Sequence, residues 1–282
     1  MENIRKEIAD NLNEFLTNIS KVEPMKIASE VTSEERSLEQ IQLFEKLTNV
    51  SIKNKTILEV GCGFGMTTTM LAKKYNAQAF GIEPDEKSYK IALKIFDKYN
   101  IEKNYLKHGV GEDLPFQDNT FDIVCSFNVL EHTNSPAKVL SESIRVLKKN
   151  GYLYFVIPNY GSFWEGHYGI LWIPYMPKWL AKLYVKLLFK RPDYYIDTLH
   201  LINYFSLKKI LKEFNQLEIL NWGEKTFEER IEKMDLAKWA CLYRLEKYLV
   251  WIHKLKMVSV IKFFGKIFKF HTPLILIAKK KK

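Results

Sequence analysis

Cysteine is scarce in this chain of 282 residues: Cys62, Cys125 and Cys241 follow no spacing that would hold zinc and cannot frame a disulfide scaffold. A reducing, cytosolic setting is the expectation. Long apolar runs are missing too, since no stretch reaches the roughly 18 uninterrupted apolar residues of a spanning helix. The first residues mix both charges where a signal peptide would place an apolar run, which speaks against secretion. No internal repeat is present, and the only low-complexity stretch is Lys279 to Lys282. With 47% hydrophobic and 27% charged residues, the composition excludes a disordered tail, a collagen-like fibre and a disulfide miniprotein, and it suffices for a sizeable core.

Acidic charge is short in one half only. Residues 1 to 160 hold 20 Lys and Arg against 22 Asp and Glu, whereas residues 161 to 282 hold 23 against 11. The whole basic excess behind the net charge of +10 therefore lies in the second half, together with all six Trp. A near-neutral first part and a basic, aromatic second part imply an anionic or amphipathic partner.

The first part alternates strand and helix patterns. Thr56 to Val60 reads as a buried strand closed by Gly61, Gly63 and Gly65, and Thr67 to Tyr75 carries helical spacing. Ala79 to Ile82, Tyr105 to His108, Phe121 to Ser126 and Tyr152 to Ile157 read as further strands, with helices over Ser88 to Tyr99 and Pro136 to Leu147. Such alternation implies a parallel sheet covered on both faces, which binds ligands at the carboxyl ends of its strands. Glycine at every second position after the first strand lets a ligand touch the main chain. The loop lacks the Lys-Ser/Thr of a phosphate-binding loop, because Met66-Thr67 follows the last glycine. Its third glycine falls one residue early for the dinucleotide fingerprint, and Glu59 would repel a pyrophosphate. A cationic, phosphate-free nucleoside fits better.

The run Glu59-Val-Gly61-Cys62-Gly63-Phe-Gly65 resembles the motif of class I S-adenosylmethionine-dependent methyltransferases. Three more segments agree in order and spacing: Glu83-Pro84, 20 residues beyond Gly63; Gly111-Glu112-Asp113-Leu114-Pro-Phe116; and Phe121 to His132. The resemblance implies a Rossmann-like, mostly parallel seven-stranded α/β sheet with an antiparallel edge strand, helices on both faces and helical cap insertions. It implies S-adenosylmethionine as cofactor, with Glu83 accepting from the ribose hydroxyls, Asp113 from the adenine amine and Leu114 packing on the ring. Glu59, Gly61, Cys62, Gly63, Pro84, Glu112, Asn128 and His132 would complete the cofactor site, and no metal is expected. The Pro-Cys dipeptide of cytosine C5 methylation is absent, as is the Asn/Asp-Pro-Pro-Tyr/Phe pattern of base-amine methylation after the fourth strand.

Residues 1 to 55 read as a helical N-terminal segment, 56 to 160 as the cofactor core, 161 to 204 as a basic aromatic cap, and 205 to 282 as the end of the sheet with a helical insertion at about 228 to 270. The cap resembles, more loosely, that of methyltransferases in glycan, lipid and cofactor pathways. Within it, Glu165 and His167 are expected to meet one substrate hydroxyl, with His167 as base. Lys178, Lys182, Lys186 and Lys190 recur every fourth residue with Leu180, Leu183, Tyr184, Leu187 and Leu188 opposite, a lysine ridge with no acidic partner in its own sequence. It reads equally as a solvated face or as contact with anionic lipid or a diphosphate-linked substrate. The apolar stretch from Leu236 to Phe270 reads as a partner or homodimer surface as well as a membrane face. The expected activity is methyl transfer to a hydroxyl of a small, lipid-linked or saccharide metabolite. RNA methylation and a noncatalytic cofactor-binding scaffold are the alternatives.

Overall fold

The computed structural model describes residues 1–233, 250, 251 and 253–281. Three helices, Glu2–Phe15 (α1), Pro24–Val31 (α2) and Glu34–Thr48 (α3), precede the sheet. Thr56–Val60 (β1), Met66–Tyr75 (α4), Gln78–Glu83 (β2), Glu86–Lys98 (α5), Leu106–His108 (β3), Phe121–Phe127 (β4), Pro136–Val146 (α6) and Leu147–Ile157 (β5) follow. The cap contains the two-residue strands Trp164–Glu165 (β6) and Ile170–Leu171 (β7) and the helix Lys178–Leu183 (α7). Tyr204–Leu211 (α8), Leu217–Asn221 (β8), Glu224–Lys233 (α9), Val258–Phe268 (α10) and Leu274–Lys280 (β9) close the chain.

Among the described residues the main sheet has seven strands in the order β3-β2-β1-β4-β5-β9-β8. Strands β1 to β5 pair in parallel, and β9 runs antiparallel to both β5 and β8. The fold is therefore the expected one, with the antiparallel hairpin at one edge. Alternate residues explain why both faces are covered: Leu58, Val60 and Val124 pack with Val139, Leu140 and Ile144 of α6. Ile57, Ile123 and Cys125 face Ile41 and Phe44 of α3 and Met70 and Leu71 of α4.

Side-chain caps fix where the helices begin, and so where the strand ends open. Asp85 Oδ2 accepts the Ser88 N–H at 2.8 Å, and Ser135 caps α6 ahead of Pro136. Asn203 and Ser206 cap each other's backbone at the start of α8.

Two local expectations are corrected. Strand β5 starts at Leu147, not Tyr152, because buried Leu147 pairs with Phe121 while the next pairing is Ile123 with Tyr152. The intervening polar residues bulge out, with Asn150 at φ 62°. The lysine ridge also does not stand over a buried apolar side of Leu183, Leu187 and Leu188, which are exposed. Its helix gives way after Leu183 to a π-helical turn, Tyr184–Leu188, and it buries Ala181 and Val185 in the cap core. Lys182 pairs with Asp197 at 2.5 Å, so the ion pair missing from the local sequence comes from a following turn. Leu187 and Leu188 stand exposed beside Lys186 and Lys190. Of the segment about 228 to 270, α10 presents Phe263 and Ile267 to solvent, while residues 234–249 lie outside the described residues.

Candidate active site

Strand β1 empties into Gly61, Cys62, Gly63 and Gly65, whose glycines have φ of 71°, 54° and 76°. A Cβ on Gly61 would lie 2.5 Å from the Val129 methyls, so packing demands that glycine. A Cβ on Gly63 would meet nothing within 4 Å: here the bare backbone borders open space where a ligand can lie. Glu83 ends the neighbouring strand. Its Oε2 accepts the Gly63 N–H at 2.8 Å and its Oε1 the Asp85 N–H at 3.0 Å, which hold the carboxylate in place and leave lone pairs for hydroxyl donors. Burial raises its pKa against those two bonds. Glu59 is buried one strand over and accepts from the Thr68 hydroxyl. Burial pushes its pKa up to about 8, the Thr68 hydrogen bonds oppose the rise, and the Glu83 charge adds to it. A cationic ligand would restore its charge. Bare backbone, a fixed carboxylate and a second buried carboxylate fit the ribose and the cationic end of S-adenosylmethionine.

The other expected cofactor residues land differently. The Cys62 side chain packs with Ala92, Phe96 and Leu106, leaving only its main chain at the loop. The Pro84 carbonyl meets His108 Nε2 at 2.9 Å. Glu112 Oε1 accepts the N–H groups of Asn134 and Ser135 at 2.7 and 3.1 Å, holding the start of α6. Leu114 sits in the main core, so little of its side chain is left to cover a ring, while Asp113 is exposed. Asn128, at φ 56°, donates its N–H to Val156 and turns the chain toward the cap.

Beyond Asn128, the 3₁₀ turn Leu130–His132 brings Glu131 and His132 against the loop joining β6 and β7, where His167 stands. The two imidazoles, 35 residues apart in sequence, approach to 3.1 Å between their Nε2 atoms. His167 Nδ1 lies 2.7 Å from Glu165 Oε1, and the Tyr160 hydroxyl is 3.3 Å from both. Glu165 is wholly buried and also accepts the Tyr168 N–H at 2.6 Å. The expectation that Glu165 meets substrate is thus corrected: it is sealed behind His167 and orients it. Glu131 is wholly buried, and both its oxygens lack a hydrogen-bond partner. Burial pushes Glu131 up to about 7, and burial with the His167 charge drives His132 down to about 3. Burial opposes charge on both members of the Glu165–His167 pair, but their mutual attraction outweighs it, lowering the carboxyl and raising the imidazole.

The N-terminal segment closes this site, which the sequence did not reveal. Ser20 Oγ donates to the His167 carbonyl at 2.5 Å, and Arg191 donates to the carbonyls of Ile19, at 2.7 Å, and Tyr168. A cavity of about 300 Å³ lies between this segment, the strand ends and the cap, with Phe15, Asn128, Glu131, Tyr154, Trp164 and His167 among its walls. Phe15, Ser20 and Tyr160 carry no motif. The signal for Glu131 was its place in Leu130-Glu-His132 after the fourth strand.

A methyltransferase domain family matches residues 58–155. Ajmaline N-methyltransferase of Rauvolfia serpentina is 35% identical over 96 residues, 33% of each chain. An uncharacterized protein of Methanocaldococcus jannaschii is 30% identical over 179 residues, covering 63% of this chain and 71% of that one. Among solved structures, phosphoethanolamine N-methyltransferase 2 of Haemonchus contortus in complex with S-adenosyl-L-methionine is 18% identical, with a TM-score of 0.51 over 86% of this chain and 52% of that chain. The chain spans from a third to about half the length of the first curated relatives it matches. The matched core contains the glycine loop, and its cofactor is S-adenosylmethionine. By sequence and fold, the chain belongs to the class I S-adenosylmethionine-dependent methyltransferases.

Proposed function

We propose that the protein methylates a hydroxyl oxygen of a small, lipid-linked or saccharide acceptor that enters the cavity between the strand ends and the cap. The observation that carries this reading is the pair Glu131 and His167 in the cavity wall, with His132 against His167 and Glu165 holding its ring from behind. Held against Gly63 and Glu83, the cofactor supplies an electrophilic methyl group. Activating the acceptor falls to this chain. A neutral hydroxyl is a weak nucleophile, so its proton must leave as the oxygen attacks, and the cluster supplies the groups that make this possible. Glu165 fixes the His167 ring, while Phe15 and Ser20 of the N-terminal segment line the cavity beside it.

The remaining walls include Leu16, Val22, Leu43, Val156 and Pro158, which suit an acceptor with an apolar part. Trp179, Leu187 and Leu188, each at least 65% exposed, stand with exposed Lys186 and Lys190. That mix of apolar and basic groups supports peripheral contact with an anionic membrane as the source of a lipid-linked acceptor. His167→Ala is expected to lower turnover by about 10² to 10⁴ with cofactor affinity by calorimetry unchanged. Turnover within a few-fold of wild type would assign His167 to packing and end this reading of the cluster.

A further inference from the structure

We propose that Glu131, His132 and His167 form a divalent-cation site whose open position faces the acceptor cavity. This deepens the reading of the same cluster as the place where the acceptor loses its proton, and it departs from the expectation of no metal.

Three observations converge. Each of the three residues offers one ligand atom, and these atoms lie within 4.8 Å of one another. The two Nε2 atoms stand 3.1 Å apart, close to the roughly 3.3 Å that two nitrogens keep around a tetrahedral ion at about 2.0 to 2.1 Å from each. Glu131 then supplies what imidazoles alone do not. It is wholly buried, both its oxygens are unpartnered, and Oε1 lies 3.6 Å from His132 Nε2. Buried carboxylates without partners are costly, and a dication between the imidazoles would satisfy this one.

The surroundings fit as well. Glu165 holds His167 by Nδ1, leaving Nε2 to the ion, an arrangement in which an outer carboxylate fixes the ring of a ligating histidine. Two imidazoles and one carboxylate leave a fourth position open in a tetrahedral catalytic site. Glu131 and His167 both line the cavity, so that position is reachable by an acceptor. A hydroxyl bound there would have its pKa lowered and lose its proton to solvent water. The donor set of nitrogen and oxygen suits zinc, manganese or cobalt.

The test uses the full chain stripped with chelator, then titrated with Co²⁺ alone and separately with Zn²⁺ alone. One equivalent is expected to bind, to change the visible spectrum of Co²⁺ and to raise the thermal midpoint. Glu131→Gln and His132→Ala should each abolish that equivalent, and Glu165→Gln should weaken it about 10 to 100-fold. An unchanged far-ultraviolet circular dichroism spectrum and a single cooperative thermal transition show that each variant is folded. Absence of saturable binding, or binding indifferent to Glu131→Gln and His132→Ala, overturns the proposal. Turnover that survives chelator but not His167→Ala also overturns the cation site while leaving the methyl-transfer reading in place.

Discussion

At the scale of single residues, the cofactor site depends on two buried carboxylates, Glu83 and Glu59. Glu83 is held by the Gly63 and Asp85 amides, so truncating it loses the ribose contacts and the anchor of the glycine loop together. Hydrogen bonds to a charged group are worth about 1.5 to 3 kcal/mol, so Glu83→Ala should weaken S-adenosylmethionine binding about tenfold or more by calorimetry. Unchanged affinity in a folded variant would remove the ribose role. Burial raises the pKa of Glu59 in the same direction as that of Glu83, and for Glu59 the shift sets a pH window. Its folded pKa of about 8 lies above the 4.5 of an unperturbed carboxyl. Between those values the folded state keeps a proton that the unfolded state has lost. Its contribution is therefore fully present below about pH 4.5, falls as pH rises, and is flat above about pH 8. Glu59→Gln cannot ionise. In cofactor-free melts it should be more stable than wild type at pH 8 by a clearly larger margin than at pH 5. An equal margin at both pH values would show that Glu59 is not a buried, protonated acid.

At the scale of elements, the strands and the glycine loop were legible because both signals are local. Ile57 and Leu58 send alternate side chains to opposite cores, and Gly61 to Gly65 must turn within a few residues. The cap was less legible. Four-residue periodicity placed the lysines correctly along one stretch but not their partners: Asp197 lies 15 residues beyond Lys182, and the π-helical turn rotates Leu187 and Leu188 outward. The membrane prediction accordingly narrows to Lys186 and Lys190. At about 1 kcal/mol per lysine near an anionic surface, replacing both with Gln should weaken binding to phosphatidylserine vesicles about 10 to 30-fold at low salt. Wild type should co-sediment and release as salt rises, because exposed charges are screened within about 8 Å at physiological ionic strength. If neither protein sediments, membrane contact is wrong. If wild type prefers RNA and the variant loses that preference, RNA becomes the leading acceptor class.

At the scale of the whole molecule, the site is assembled by contacts far apart in sequence. His132 meets His167 across 35 residues, and Ser20 meets the His167 carbonyl across 147. A sequence can show that a Glu-His pair follows the fourth strand and that Glu165 and His167 share a loop. It cannot show that the cap folds these onto one another, because that contact depends on packing of Ile19, Tyr160, Tyr168 and Trp172 in the cap core. The resulting cavity is lined by Asn128, Val156 and Pro158 at the carboxyl ends of β4 and β5, the edge at which such sheets bind ligands, and that placement is what makes methyl transfer the central claim. The most direct measurement is mass spectrometry of cell extract incubated with the protein and S-adenosylmethionine carrying an isotopically labelled methyl group. The account predicts a labelled product bearing the methyl on oxygen, formed by wild type and lost with His167→Ala. A labelled product carrying the methyl on nitrogen or carbon, or no label transferred and no demethylated cofactor formed, would contradict it.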